Sequence, residues 1–186
     1  MKLNHKIKID LFEVFKSGKF DFIRIGKDKN WILKNFPEPD EYEAGKTLES
    51  SRVWRYGNIE FHFENNLLTQ IFTDYIDSLD GGENIELGKW IFKEPEKLTA
   101  EYVIRHLTEC RIDFWAKSKM TEFICQTSIW LTNSNVYLNF QPIQKEDIDF
   151  DEWYNKIMKS INPNEYKLCS FTIAEGDRIK TAYNDI

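Results

Sequence analysis

The sequence predicts an α+β fold: an antiparallel β-sheet with short helices packed mainly on one face. Three observations carry that prediction. In Ile59-Glu60-Phe61-His62-Phe63-Glu64 apolar and polar residues alternate strictly, the period of two that marks a half-buried strand. The alternation returns at Phe123, Cys125, Thr127, Ile129 and Leu131, and again at Val136, Leu138 and Phe140. Short segments of helical period precede these runs, each headed by a residue able to cap it: Asp10, Asp28 and Thr99.

In chain order, Asp10 caps a helix whose apolar positions are Leu11, Val14 and Phe15, and Ser17-Gly18 stops it. Asp28 caps a second helix, with Trp31, Ile32 and Phe36 facing a core; Pro37 and Pro39 end it. Residues 40–51 are polar and acidic and read as a loop. A strand over 52–56 turns at Gly57-Asn58 into the alternating strand. There Ile59, Phe61 and Phe63 take the buried face, and Glu60, His62 and Glu64 the exposed one. Asn65-Asn66 turns the chain into a third strand, 67–76. A polar loop over 77–84 leads to a fourth strand, 85–92.

In the second half Thr99 caps a helix carrying Val103, Ile104 and Leu107. Ile112, Phe114 and Ala116 alternate in a strand, 123–131 forms a longer one, and 132–135 turns the chain. A last helix, about 149–161, buries Trp153 and Ile157, and 166–173 is the final strand. Trp54 stands nine residues before Phe63, and Trp130 ten before Phe140. Asn58-Ile59-x-Phe61-x-Phe63 matches Asn135-Val136-x-Leu138-x-Phe140 in pattern. This weak internal repeat, 10–93 and 98–174, reads either as a tandem helix-plus-meander duplication inside one domain, 1–186, or as two unrelated hairpins.

With 186 residues, 41% hydrophobic and 30% charged, the chain can bury a core without a metal or a disulfide. A net charge of −6 argues against a general nucleic-acid binder, which needs a basic footprint, and permits an acidic surface aimed at a basic partner. Cys110, Cys125 and Cys169 lie far apart without a Cys-x-x-Cys pair, so reduced, unliganded thiols are expected. No run reaches membrane-spanning length. The first residues carry charge but no apolar leader core, which makes the expected location cytoplasmic.

The order of short helix, Pro-containing loop, Trp54-Arg55-Tyr56-Gly57 and alternating strand resembles the β-lactamase-inhibitor-protein-like fold. It is also similar to the family of small outer-membrane assembly lipoproteins (SmpA/OmlA). Their pattern sets a Gly before a short helix, a Gly-x-Pro at its end and a Trp/Tyr-x-Tyr-Gly hairpin. Gly26, Pro37, Pro39, Trp54, Tyr56 and Gly57 stand in those places, with Phe36 rather than Gly before Pro37. The match covers 23–76, with a looser echo over 99–141, and no lipobox cysteine stands near the N-terminus. The resemblance implies helices on one face of an antiparallel sheet, and an open sheet face presented to a protein partner.

Candidate chemistry is sparse. Glu60, His62 and Glu64 project from one strand face at a spacing of about 7 Å, suited to a shared divalent metal or to a plain solvated face. His106 lies beside the apolar face of its helix, without a recognisable Cys or Ser partner. Asp147, Asp149, Asp151 and Glu152 open like a calcium loop, but Glu152 stands where the loop needs Gly and Met158 where it needs a carboxylate. Carboxylates at a helix N-terminus fit that stretch without a metal. No Gly-rich phosphate loop, nucleophile elbow or zinc signature is present. The expectation is therefore no catalytic residue, no metal and no cofactor.

Aromatic residues are in excess, with six Trp, eight Tyr and fourteen Phe. Trp90 and Trp130 fall on the polar register of their strands and are the expected anchors for a protein partner. Glu38, Asp40, Glu41 and Glu43 are the expected acidic groups that steer it. The function this points to is a non-catalytic cytoplasmic binding protein, most concretely an immunity-type inhibitor that occludes a bacterial toxin, with neither nucleic acid nor membrane as partner. The alternative is a small-molecule-binding domain or an enzyme with a pocket between helices and sheet. A structural partner in envelope assembly is the third reading.

Overall fold

The structure is a computed structural model, and it describes residues 6–121, 124–143, 149, 152, 155 and 162–175. The chain runs β1 (Ile7–Asp10), α1 (Leu11–Ser17), α2 (Lys29–Asn35), β2 (Glu41–Glu43), β3 (Val53–Tyr56), β4 (Ile59–Glu64), β5 (Leu67–Thr73) and β6 (Ile85–Gly88). It continues with α3 (Ala100–Glu109), β7 (Phe114–Thr121), β8 (Ile124–Leu131), β9 (Val136–Pro142) and β10 (Tyr166–Ala174). The fold is α+β. Eight strands form one antiparallel sheet in the order β2-β3-β4-β5-β10-β9-β8-β7, and β1 pairs with β6 in a separate parallel ribbon.

Local signals set the elements. The carboxylate of Asp10 accepts the Phe12 amide, that of Asp28 the Trp31 amide, and the Thr99 hydroxyl the Tyr102 amide. Each satisfies a donor that a first helical turn leaves open. Asn65 and Asn66 both adopt left-handed backbone, φ 49° and 63°, as a two-residue hairpin turn requires. The β4 register is as read from the sequence: Ile59, Phe61 and Phe63 are buried and Glu64 is exposed.

Strand pairing lines up one inward row across the whole sheet: Tyr42, Trp54, Phe61, Ile71, Ile173, Val136, Leu131 and Phe114. Its six central members are fully buried. The helices and the segments that flank them cover this face through aromatic edges. Phe15 of α1 meets Phe171 at 5.5 Å, Phe20 meets Phe61 at 5.4 Å, and Phe36 meets Tyr56 at 5.4 Å. The aromatic excess is thus largely a core material.

Several expectations are corrected. The strand over 85–92 stops at Gly88, because β6 leaves the main sheet to pair with β1, and Trp90–Lys93 coils into a 3-10 turn. Ile7–Asp10, where the sequence reading places no element before the Asp10 cap, forms β1. The acidic loop contains β2, the short edge strand. Trp31 faces outward, 37% exposed, beneath the Lys27 ammonium at 4.1 Å and edge-on to Phe22. Glu60 is half-buried rather than exposed, because Arg55 pairs with one of its oxygens and His62 meets the other. A tandem repeat is not shown: the meanders β3–β5 and β7–β9 share the sheet through β10, and among the described residues the one parallel ribbon, β1 with β6, is formed by strands from the first half of the chain. The helix expected over 149–161, with Trp153 and Ile157, lies almost wholly outside the described residues. So do Phe123, Asp147 and Asp151. No described helix is long and apolar enough to cross a membrane.

Candidate functional site

Strand alternation places a second row opposite the core row, on the outer face. It runs Glu41, Arg55, Glu60, Phe72, Thr172, Tyr137, Trp130 and Trp115 from the β2 edge to the β7 edge. One end is ionic and the other aromatic.

At the ionic end Arg55 bridges Glu43 at 3.1 Å and Glu60 at 2.8 Å, and His62 Nε2 lies 2.8 Å from the other oxygen of Glu60. Burial works against the Arg55 charge, but Glu60 and Glu43 outweigh it and hold the pKa above its ordinary value. Glu60 and His62 are thereby engaged with each other, while Glu64 is exposed. Among the described residues no group of three or more His, Cys, Asp or Glu is arranged to hold a metal. His106 hydrogen-bonds back to the Tyr102 carbonyl at 2.9 Å, one turn earlier on α3.

Beneath this end, on the core side, lies a buried cation. Lys29 is 3% exposed and has no carboxylate partner among the described residues. Its ammonium donates to the carbonyls of Ser51 and Glu49 and sits 4.9 Å from the Phe63 ring centre and 5.8 Å from that of Trp54. Desolvation lowers its pKa. The lysine ties α2 to the loop before β3.

At the aromatic end Trp130 stacks on Tyr137, with centroids 5.8 Å apart and planes inclined by 5°. Trp115 stands directly across from Trp130 on β7 and is 55% exposed. Trp130 is half-buried, and its indole N–H is buried without a hydrogen-bond partner among the described residues. The next rung is polar: Ser128 donates to Asn139 Oδ1 at 3.0 Å, and Asn139 Nδ2 donates to Ser170 Oγ at 3.1 Å. Tyr137, Thr172, Ser128 and Ser170 are buried, so this face is accessible toward β7 and closed over its middle.

The structure does not gather the expected partner-binding residues into one patch. Trp130 is on the outer face as read. Trp90 is on no strand: it sits at φ +42° in its 3-10 turn, edge-on to Phe12 and Phe15. Glu41 and Glu43 are exposed on the β2 edge, six strand spacings from Trp130, or roughly 29 Å. Asp40 is exposed, but its carboxylate accepts the Gly57 amide at 2.6 Å and the Glu83 amide at 3.1 Å, tying two turns together. A side chain at Gly82 would collide with that carboxylate, its Cβ reaching 1.7 Å from Asp40 Oδ2. Glu38 contributes its backbone carbonyl to Asn84. Trp115 and Tyr137 were missed from sequence. The signal was there in the alternation of Trp115 with Lys117, but nothing local says that Trp115 faces Trp130.

Two clefts open elsewhere. One, about 280 Å³, lies beside the β9–β10 end and includes the 2.7 Å ion pair of Lys167 with Asp77. Cys169 borders it; burial raises the thiol pKa, and the S–H donates to the Asn139 carbonyl. The other, about 250 Å³, lies between the C-terminal ends of α1 and α3 and the β8–β9 turn. There α3 closes in a Schellman arrangement, with Arg111 donating to Thr108 and Ile112 to Leu107. Arg111 occupies the left-handed position, φ +54°, that glycine usually fills. An arginine there costs about 1–2 kcal/mol, while its attraction to the helix dipole returns only about 0.3–1 kcal/mol. α1 ends on Gly18 at φ +67°.

No protein-family model, no curated protein and no solved structure matches this chain.

Proposed function

We propose that this chain is a non-catalytic, cytoplasmic binding protein that acts by covering a protein partner, most concretely an immunity-type inhibitor of a bacterial toxin. The observation that supports it is the Trp115–Trp130–Tyr137 ladder on the outer face. A tight protein contact is anchored by a few aromatic side chains that lose water on binding, and Trp115 is exposed enough to do so. The acids of the β2 edge lie too far away to rim this anchor. Their part is long-range steering of a basic partner, which sets the encounter rate rather than the lifetime.

Co-purification from the native host with mass spectrometry identifies the partner. Trp130→Ala is then expected to weaken it by at least about 2 kcal/mol without unfolding the chain, and Trp115→Ala to weaken it as well. Added salt should slow association more than it speeds dissociation. Partner binding indifferent to both tryptophans would remove this face from the mechanism. Recovery of a small molecule instead of a protein would favour the ligand-binding reading.

A further inference from the structure

We propose that the cleft between the ends of α1 and α3 binds a small oxyanion, a carboxylate or phosphate group, gripped by Lys16 and Arg111. This site is separate from the outer face and does not depend on the function proposed above.

Two local costs converge on the cleft. The first is Arg111 in left-handed backbone, where α1 on the opposite wall uses glycine. The helix dipole returns less than that backbone takes, so helix capping alone does not account for an arginine at this position. The second is Ser134, which lines the same cleft, is 5% exposed, and has a hydroxyl with no hydrogen-bond partner among the described residues. Strained backbone and unsatisfied buried polar groups are tolerated where a ligand repays them. An oxyanion answers both, taking the guanidinium fork and the hydroxyl proton together.

The walls are fixed. Gly18 lies directly against Ser134, and a Cβ at position 18 would come within 2.1 Å of the Ser134 carbonyl oxygen. The charges favour an anion. Neither Lys16 nor Arg111 forms an ion pair among the described residues, and Asp113 already accepts from Asn133 Nδ2 at 3.1 Å. The two helix ends bring partial negative charge, which counts against an anion. The amides of Gly18, Cys110, Arg111 and Ile112 already occupy helix carbonyls there and reduce it.

The test is a titration of isotope-labelled protein, at constant ionic strength, with inorganic phosphate and separately with acetate. Saturable amide shifts confined to 16–18, 110–113 and 132–135 are expected with one of them. Phosphate would mark a phosphorylated ligand and acetate a carboxylate. Arg111→Gly suits the left-handed backbone, so it should raise the unfolding temperature while weakening the anion at least about tenfold. Lys16→Gln should weaken it too. Cys110 lines the cleft, so the bound anion should also protect it from iodoacetamide. Saturation with neither anion, shifts spread over the whole surface, or an Arg111→Gly protein that binds like the parent would overturn the site.

Discussion

The two ends of the outer row share one sheet, one face and one register, yet they differ in how their side chains are satisfied. At the β2–β4 end Arg55 lies between Glu43 and Glu60, and His62 lies within hydrogen-bond distance of Glu60. At the β7–β9 end the buried Trp130 N–H has no partner among the described residues, and Trp115 keeps more than half of its surface exposed. A region that satisfies itself gains little from a partner, since binding must first break what is already made. A region with an exposed ring gains from any contact that dries it. The ionic end is therefore a stability element, and the aromatic end is the one we propose for recognition.

The largest expected effect tests whether both ends rest on the same core. Phe61 lies under the ionic end and Leu138 under the aromatic end, both fully buried. Phe61→Ala should cost about 3–5 kcal/mol and Leu138→Ala about 2–5 kcal/mol by urea unfolding. A small loss at either position would mean that half of the sheet is not packed as described.

Next in size is the contrast itself. Glu60→Gln leaves Arg55 with Glu43 alone and His62 without its carboxylate, and should cost about 1–3 kcal/mol. Trp115→Ala, at the exposed end, should change stability by less than about 0.5 kcal/mol. The comparison breaks if the tryptophan proves the more destabilising of the two.

A smaller effect separates the ends by pH. Lys29, under the ionic end only, has a folded pKa below its ordinary 10.5, so the folded state disfavours its charged form. Between the lowered value and 10.5 the unfolded chain binds more protons than the folded one. Stability should accordingly rise with pH through that window. Tyr56 opposes it from about its ordinary 10.0 upward, which overlaps the top of that window. Its buried phenol donates to the Pro37 carbonyl, and burial raises its pKa above the ordinary 10.0, so stability falls as the unfolded chain ionises first. Urea titrations of Tyr56→Phe across alkaline pH should show the Lys29 rise alone, and adding Lys29→Met should flatten it. A flat profile in the single variant would show that Lys29 is not held against its charge.

The smallest effect concerns thiols. Cys169 is partly buried, with its pKa raised and its S–H held by Asn139, whereas Cys110 lines an open cleft. Peptide mapping after brief alkylation should find Cys110 modified ahead of Cys169.

What the sequence alone determined is what acts within a few residues. The caps Asp10, Asp28 and Thr99 reach amides two or three positions away, and the alternation of Ile59, Phe61 and Phe63 assigns a strand its inner face. Asn65-Asn66 accepts left-handed backbone by its own chemistry. The α+β class follows from such signals. Tertiary structure decided which strands meet. β6 had a strand-like pattern but pairs with β1, about 78 residues earlier in sequence, and that pairing moved Trp90 off any sheet face. β10 enters between β5 and β9, which is what aligns the charges of β2–β4 with the aromatics of β7–β9 in one row. Trp31 has helical spacing for the core and stands outside it, because Phe20, Phe36 and Phe61 already fill that space. Periodicity says which side of its own element a residue is on. The partner across the gap is set by long-range packing, which no local pattern encodes.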